Sequence, residues 1–76
     1  MTVEKLIEEI KDARKIFVLH WNKIPHFVSM NSNTKLKFNK TEILDMEILI
    51  DDSLADNEFR LLRKWLDGKI RFWGAT

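Results

Sequence analysis

His20 and His26 are the residues of this chain whose type best suits metal binding or proton transfer. Imidazole nitrogens bind metal ions and exchange protons near neutral pH. A site of either kind needs further groups, and no carboxylate lies close to the two histidines in the sequence. We therefore interpret them as half-buried imidazoles that face each other across a predicted hairpin, and not as a catalytic or metal site.

Asp51 and Asp52 form a pair of adjacent carboxylates that could bind a divalent cation through oxygen. Capping of a helix that begins at Ser53 explains the same pair with fewer assumptions. The chain has no cysteine, which excludes disulfides and thiolate chemistry. It also lacks the G-x-S-x-G, H-E-x-x-H and glycine-rich phosphate-loop motifs. The sequence therefore predicts no enzymatic activity, no cofactor and no metal.

The charged residues are segregated into blocks of alternating sign. Residues 41–58 contain seven acidic residues and no basic one, whereas residues 13–40 contain six basic residues and no acidic one. Residues 59–76 carry a charge of +4, although the whole chain has a net charge of only +1. Partners respond to the local potential, so the acidic block indicates a surface for a basic partner.

The first functional hypothesis is a protein-binding surface on this acidic block, used against a basic protein. Small inhibitors encoded by phages and mobile elements act in this way when their carboxylates replace phosphates, which is an analogy only. A structural role is the alternative, with acids that pair with Lys35 and Lys37 or lie at a helix start. The candidate contact residues are Asp45, Glu47, Asp51, Asp52 and Asp56.

The second hypothesis is nucleic-acid binding by the basic C-terminal block. Basic residues beside an aromatic ring suit the stacking of single-stranded bases. The alternative is a solvated helix face with a tryptophan packed at the edge of the sheet. The candidate residues are Arg60, Arg63, Lys64, Lys69, Arg71 and Trp73.

The bulk composition indicates one small folded domain. The chain has 76 residues, 45% of them hydrophobic, and eight are aromatic. No segment approaches the ~18 apolar residues of a membrane span, and the N-terminus does not resemble a signal peptide. We expect a cytoplasmic protein with no membrane contact. Its content of Lys, Ile and Asn is typical of AT-rich bacterial or phage genomes.

The first half of the chain predicts a helix followed by a hairpin. Residues 2–15 place Val3, Leu6, Ile7, Ile10 and Ala13 on one helical stripe, and Thr2 can cap the first turn. Residues 16–21 form an apolar run of β-branched and aromatic residues, which favours a strand. Residues 22–25 predict a turn, residues 26–30 the second strand, and residues 31–34 another turn.

A second hairpin is predicted from residues 35–38 and 44–50. In that register Lys37 faces Asp45 and Lys35 faces Glu47, which would stabilise the ladder. A helix over residues 40–51 is the competing interpretation. It would turn one of the acids towards the core, so we favour the strand.

Residues 53–67 predict a second amphipathic helix, which Gly68 ends, and residues 69–73 a closing strand. Trp73 is placed either in the core or on the open side of the sheet. A C-terminal edge strand could pair with a second copy, so a homodimer through this edge is also considered. The predicted fold is α+β in the order α-β-β-β-β-α-β, with an antiparallel sheet and both helices on one face.

The α-β-β-β-α part of this order, with Pro25 and His26 in the first hairpin turn, resembles the double-stranded RNA-binding domain. That family carries a lysine cluster at the start of its second helix. This chain carries acidic residues there, which would repel a phosphate backbone. We therefore infer no membership of that family.

Overall fold

A computed structural model describes residues 2–66, Gly68 and the backbone of residues 70–75, which form an α+β fold. The helices are α1 (Val3–Trp21) and α2 (Ser32–Leu36). The strands are β1 (Phe27–Met30), β2 (Glu42–Ile43), β3 (Met46–Ile50), β4 (Phe59–Lys64) and β5 (Ile70–Ala75). In the described part of the chain, neither helix combines the length and the apolar character that crossing a membrane requires.

The strands form one mixed sheet in the order β2-β3-β1-β4-β5. β1 is the central strand, and it runs parallel to β3 and antiparallel to β4. The prediction of a wholly antiparallel sheet is therefore wrong. Parallel strands need a long crossover connection, and residues 31–45, which contain α2 and β2, provide it.

The two faces of the sheet differ in composition. Val28 in β1, Ile48 in β3 and Leu61 in β4 pair in register and are buried against α1, so they mark the core face. Because successive strand residues point to opposite sides, the residues between them form the other face. We call this second side the open face. Its members are Glu42, Phe27, Ser29, Glu47, Leu49, Arg60, Leu62 and Lys64.

Helix α1 begins as predicted, but it continues through the segment predicted as a strand. The Thr2 hydroxyl accepts a hydrogen bond from the Lys5 amide at 3.2 Å, which caps the first turn. Residues 16–21 complete the helix, and Asn22 ends it in the left-handed conformation with φ of 54°. Phe17 lies four residues after Ala13, so it extends the buried stripe. That helical periodicity overrides the β propensity of the individual side chains.

The segment predicted as the first arm of the second hairpin, residues 35–38, forms no strand: its first two residues end a helix and the next two form a turn. Residues 32–36 form α2, and the residues from Lys37 to Asn39 lead out of it. The hairpin partner of β3 is the two-residue strand β2, which joins it through Leu44 and Asp45. Lys35 and Lys37 are therefore not the cross-strand partners of Glu47 and Asp45, contrary to the prediction.

The predicted second helix over residues 53–67 is also wrong. Residues 51–58 form turns, and residues 59–64 form β4, in which Phe59 and Leu61 are buried and the residues after them are less so. Leu66 is fully exposed instead of lying on a buried helical stripe. The closing strand is confirmed as β5, and it forms one edge of the sheet. Asp67, the last residue of that predicted helix, lies outside the described residues.

Candidate functional site

Residues 51–58, which connect β3 to β4, form a compact segment that we call the acidic loop. It carries four acidic residues, Asp51, Asp52, Asp56 and Glu58, and the first three are among the predicted contact residues. The Leu54 amide donates to the Asp51 carbonyl at 3.1 Å, and the Glu58 amide donates to the Ala55 carbonyl at 3.1 Å. Leu54 is 4% exposed, so the middle of the acidic loop is anchored in the protein.

Asn31 connects the acidic loop to the start of α2. Its Nδ2 donates to Oδ1 of Asp56 at 2.7 Å and to the Leu54 carbonyl at 3.2 Å. Its Oδ1 accepts from the Thr34 amide at 2.7 Å, which caps α2. Asn31 is only 8% exposed, so its loss would leave buried polar groups without partners.

The other two carboxylates of the loop are also fixed by hydrogen bonds. Oδ1 of Asp51 accepts from the Ser53 amide at 3.1 Å and from its hydroxyl at 2.5 Å. Oδ1 of Asp52 accepts from the Ser32 amide at 2.8 Å and from its hydroxyl at 2.7 Å. Asp52 therefore accepts a hydrogen bond from an amide in the first turn of α2. The prediction that it caps a helix beginning at Ser53 is wrong.

These hydrogen bonds also set the charge state of the loop. Bonds from the Ser53 side chain and backbone lower the pKa of Asp51, and the positive charge of Arg60 contributes. Bonds from the Ser32 backbone and side chain lower the pKa of Asp52. A hydrogen bond to the ionised form favours that form. Both groups therefore keep their negative charge to a lower pH than an ordinary aspartate does.

The five predicted acidic residues do not form one surface. Asp45 lies in the β2–β3 turn, at the opposite end of β3 from Asp51. At ~3.3 Å per strand residue, the two ends of β3 lie more than ~13 Å apart. Asp45 instead lines a shallow depression together with Lys11, Arg14 and Lys15 of α1. Of the five predicted contact residues, the acidic loop brings together Asp51, Asp52 and Asp56 only.

Glu47 lies on the open face, directly across the ladder from Glu42 of β2. Both side chains are exposed. Two like charges in opposite ladder positions destabilise a strand pair. The repulsion between Glu42 and Glu47 therefore opposes folding. The sequence instead predicted lysine partners across the ladder for the acidic residues of this strand.

The predicted basic residues of β4 divide between the two faces of the sheet. Arg60 and Lys64 lie on the open face, while Arg63 lies on the core face because of the strand alternation. The Arg63 Nη1 atom donates to the Ile24 carbonyl at 2.8 Å and lies 2.8 Å from Nε2 of His26. Arg63 is therefore engaged in holding the segment before β1.

The remaining members of the basic set are in β5 or beside it. Arg71 pairs in register with Arg63, and Trp73 with Leu61. The side chains of Arg71 and Trp73 and the whole of Lys69 lie outside the described residues. The position of Trp73 in the core or on the surface is thus a prediction that the described residues do not test.

His20 and His26 do not face each other across a hairpin, because His20 lies in the last turn of α1. Its ring packs edge-on against Trp21, with the ring centroids 4.6 Å apart. Arginine only donates hydrogen bonds, so in the contact with Arg63 the Nε2 atom of His26 is the acceptor. Among the described residues, no group of three or more His, Asp or Glu side chains is placed to hold a metal ion.

Sequence reasoning missed Asn31, Ser32 and Thr34, which organise the acidic loop. The run N-S-N-T was interpreted as a turn, although an Asn followed by polar residues is also a helix N-cap signal. Phe27, at the centre of the open face, was missed because β1 was paired with residues 16–21. Its position became visible only with the pairing of β1 to β3 and β4.

Comparisons of this chain with protein-family models, with curated proteins and with solved structures found no match.

Proposed function

We propose that this chain is a non-enzymatic binding domain that uses the acidic loop to contact a basic protein. One observation carries the proposal: hydrogen bonds fix three carboxylates in a short loop anchored to α2. Asp52 and Asp56 are exposed and Asp51 is half-buried, so all three reach the surface.

Fixed charges bind a partner better than mobile ones, because fewer rotamers are lost when the complex forms. Each hydrogen bond in the loop uses Oδ1 of its carboxylate. An ionised carboxylate has about four acceptor sites, so each group retains the capacity to accept from a lysine or arginine of the partner. Opposite charge also accelerates the diffusional encounter.

The partner class follows from the same chemistry. Proteins that bind phosphate backbones present clustered Lys and Arg, and carboxylates at a fixed spacing can occupy such a surface. The proposed role is therefore that of a phage or mobile-element accessory or inhibitor protein, acting in the cytoplasm on a nucleic-acid enzyme.

Neutralisation of the three aspartates of the acidic loop without loss of their hydrogen bonds tests the proposal. Asn retains Oδ1, so the variant Asp51→Asn, Asp52→Asn, Asp56→Asn keeps the acceptors for Ser53, Ser32 and Asn31. We expect affinity capture from a bacterial lysate, quantified by mass spectrometry, to lose its basic partner with this variant. The capture should also weaken as ionic strength rises.

A matched control changes the same number of charges elsewhere. The variant Glu4→Gln, Glu8→Gln, Asp12→Asn neutralises three exposed carboxylates of α1. It should retain the partner. Equal losses in both variants would show that net charge, and not the acidic loop, governs binding, and the proposal would then be wrong.

Nucleic-acid binding is the second candidate, and the position of Phe27 supports it. Arg60 and Lys64 share the open face with this ring, and basic residues around an aromatic suit base stacking. The same face carries Glu42 and Glu47, which repel phosphates, so we rank this function second. Gel shifts at low salt that disappear with Arg60→Gln and Lys64→Gln would establish it in place of the first proposal.

A further inference from the structure

Over strands β2, β3, β1 and β4, whose side chains are described, the open face has an acidic side, an apolar centre and a basic side. Glu42 and Glu47 lie on β2 and β3, to one side of β1. Arg60 and Lys64 lie on β4, to the other side. Between them, the apolar residues Phe27, Leu49 and Leu62 occupy β1 and its two neighbours, and Leu49 is 38% exposed.

We propose that the open face binds a second copy of this chain, forming a symmetric dimer in which the two sheets stack face to face. This inference is independent of the acidic loop, which lies in the connection between β3 and β4.

Symmetry selects one arrangement. A two-fold axis parallel to β1 places β3 of one copy over β4 of the other, so Glu47 of each copy meets the basic residues of β4 in its partner. A two-fold axis across the strands would place β3 over β3 and bring like charges together. The face is therefore self-complementary in only one of the two face-to-face dimers.

The register of the strands makes the match specific. Glu47 and Leu62 both pair with Phe27, so they lie at the same level along the sheet. Rotation about an axis parallel to the strands preserves that level, and Glu47 then falls over Leu62 of the second copy. Arg60 and Lys64 flank Leu62 on the same face, so Glu47 lies between two basic residues of its partner.

The apolar centre contributes the burial. Stacked sheets lie ~10 Å apart, with the side chains of both inner faces between them. Phe27 lies on the central strand and therefore near the axis, where it meets its own counterpart. Ser29 beside it is only 6% exposed, so Phe27, Leu49 and Leu62 provide the apolar contact. The dimer also offsets the unfavourable opposition of Glu42 and Glu47.

Sedimentation velocity from about 1 µM to about 1 mM, a range that covers weak interfaces, tests the proposal. We expect a concentration-dependent dimer. Glu47→Lys places like charges at both symmetric contacts, so it should raise the dimer dissociation constant by at least about tenfold. Glu8→Lys, the same change on an exposed part of α1, should leave the constant unchanged. Circular dichroism checks folding, and Glu47→Gln serves if the lysine variant is unfolded.

Charge exchange between copies provides the decisive measurement. Lys64→Glu alone should also weaken the dimer, but an equimolar mixture with Glu47→Lys should form heterodimers, because one contact is then inverted and the other is native. A monomer throughout the concentration range would overturn the proposal. So would a dimer insensitive to Glu47→Lys, as pairing through the β5 edge would give, or a single-stranded oligonucleotide bound to the open face of a monomer.

Discussion

At the scale of single residues, Asn31 joins two parts of the molecule that are distant in sequence. It bonds to α2 through Oδ1 and to the acidic loop through Nδ2. The hydrogen bonds of one small polar residue thus hold the two segments together, as hydrophobic contacts do elsewhere in the core. Its neighbour Asn33 has the same side chain but is exposed, and it provides a matched comparison.

Asn31→Ala should lower the free energy of unfolding by about 2 kcal/mol, because it leaves buried partners of Asn31 unsatisfied. Asn33→Ala should change it by less than about 0.5 kcal/mol. Urea denaturation of both variants measures the difference. Equal effects would show that the Asn31 bonds do not stabilise the fold.

The lowered pKa values of Asp51 and Asp52 imply a pH dependence of stability. A group whose pKa is lower when folded binds fewer protons in the folded state, so it stabilises the fold above its unfolded pKa. An unperturbed aspartate has a pKa of 3.8. This stabilisation is lost as the pH falls below about 4 and through the folded pKa.

We therefore expect stability to fall between about pH 5 and about pH 3, and Asp52→Asn to reduce that fall. Chemical denaturation across this range is the measurement. Glu8→Gln, on the exposed side of α1, is the control. If Asp52→Asn and the parent protein lose stability in parallel, the hydrogen bonds to Ser32 do not favour the ionised form.

At the scale of elements, the continuation of α1 to Trp21 is the main departure from expectation. In a strand, Phe17 and Leu19 would share a face. In the helix they lie about 200° apart, and their exposures are 0% and 84%.

Phe17→Ala should cost about 3–5 kcal/mol of stability, because it leaves a cavity in the core. Leu19→Ala should change stability by less than about 0.5 kcal/mol, because the side chain is exposed and alanine suits a helix. Thermal or urea denaturation measures both. Comparable losses in the two variants would support the strand and contradict the helix.

The β2–β3 turn carries a recognisable conformational cost. Leu44 and Asp45 have φ values of 50° and 65°, so both are left-handed, as a type I′ turn requires. Asn-Gly is the preferred sequence for that turn, whereas leucine is strained there.

Leu44→Asn with Asp45→Gly should raise the free energy of unfolding by about 1 kcal/mol, as seen by urea denaturation. Leu36→Asn, which removes another exposed leucine outside the left-handed region, should bring no such gain. A loss of stability in the turn variant would mean that Leu44 contributes more through packing than it costs in backbone strain.

Several elements were predictable because their signals are local. Thr2 and the apolar stripe predict the first part of α1. The predicted strands 26–30 and 44–50 contain β1 and β3, and the predicted strand 69–73 overlaps β5 (Ile70–Ala75). The predictions of a strand over residues 16–21 and of a helix over residues 53–67 are wrong because apolar residues in both segments fit the helical period as well as the strand period. Residues 59–64 form a strand because of tertiary pairing: β1 pairs with β3 on one side, and β4 pairs with its other side.

The candidate site was predictable in part for the same reason. Asp51, Asp52 and Asp56 all lie within residues 51–56, so they stay close to one another whatever local structure this segment adopts. Asp45 and Glu47 were grouped with them by sequence proximity, but a strand separates its two ends. Their actual surroundings, the bases of α1 and the open face, depend on contacts between distant elements.

At the scale of the whole molecule, the sheet is organised around β1. This strand pairs on both sides, and Val28 and Met30 are fully buried. The amide hydrogens of β1 should therefore exchange with solvent only through global unfolding.

We expect β1 amides to show the slowest hydrogen exchange, and the amides of the β2–β3 hairpin a much faster one. NMR-detected exchange on the intact chain measures both. Faster exchange in β1 than in β2 would show that the sheet opens at its centre, which this topology does not predict.

The central place of β1 also governs the order in which the chain can fold as it leaves the ribosome. Both neighbours of β1 are synthesised after it, and β4 follows about 30 residues later. Trp21, at the end of the first helix, packs on Trp65 with the ring centroids 5.8 Å apart. The apolar stripe of α1 must therefore remain uncovered until the second half of the chain emerges. Because its stabilising contacts are distant in sequence, we expect folding to be slow for a domain of this size, with the apolar stripe of α1 exposed in the meantime.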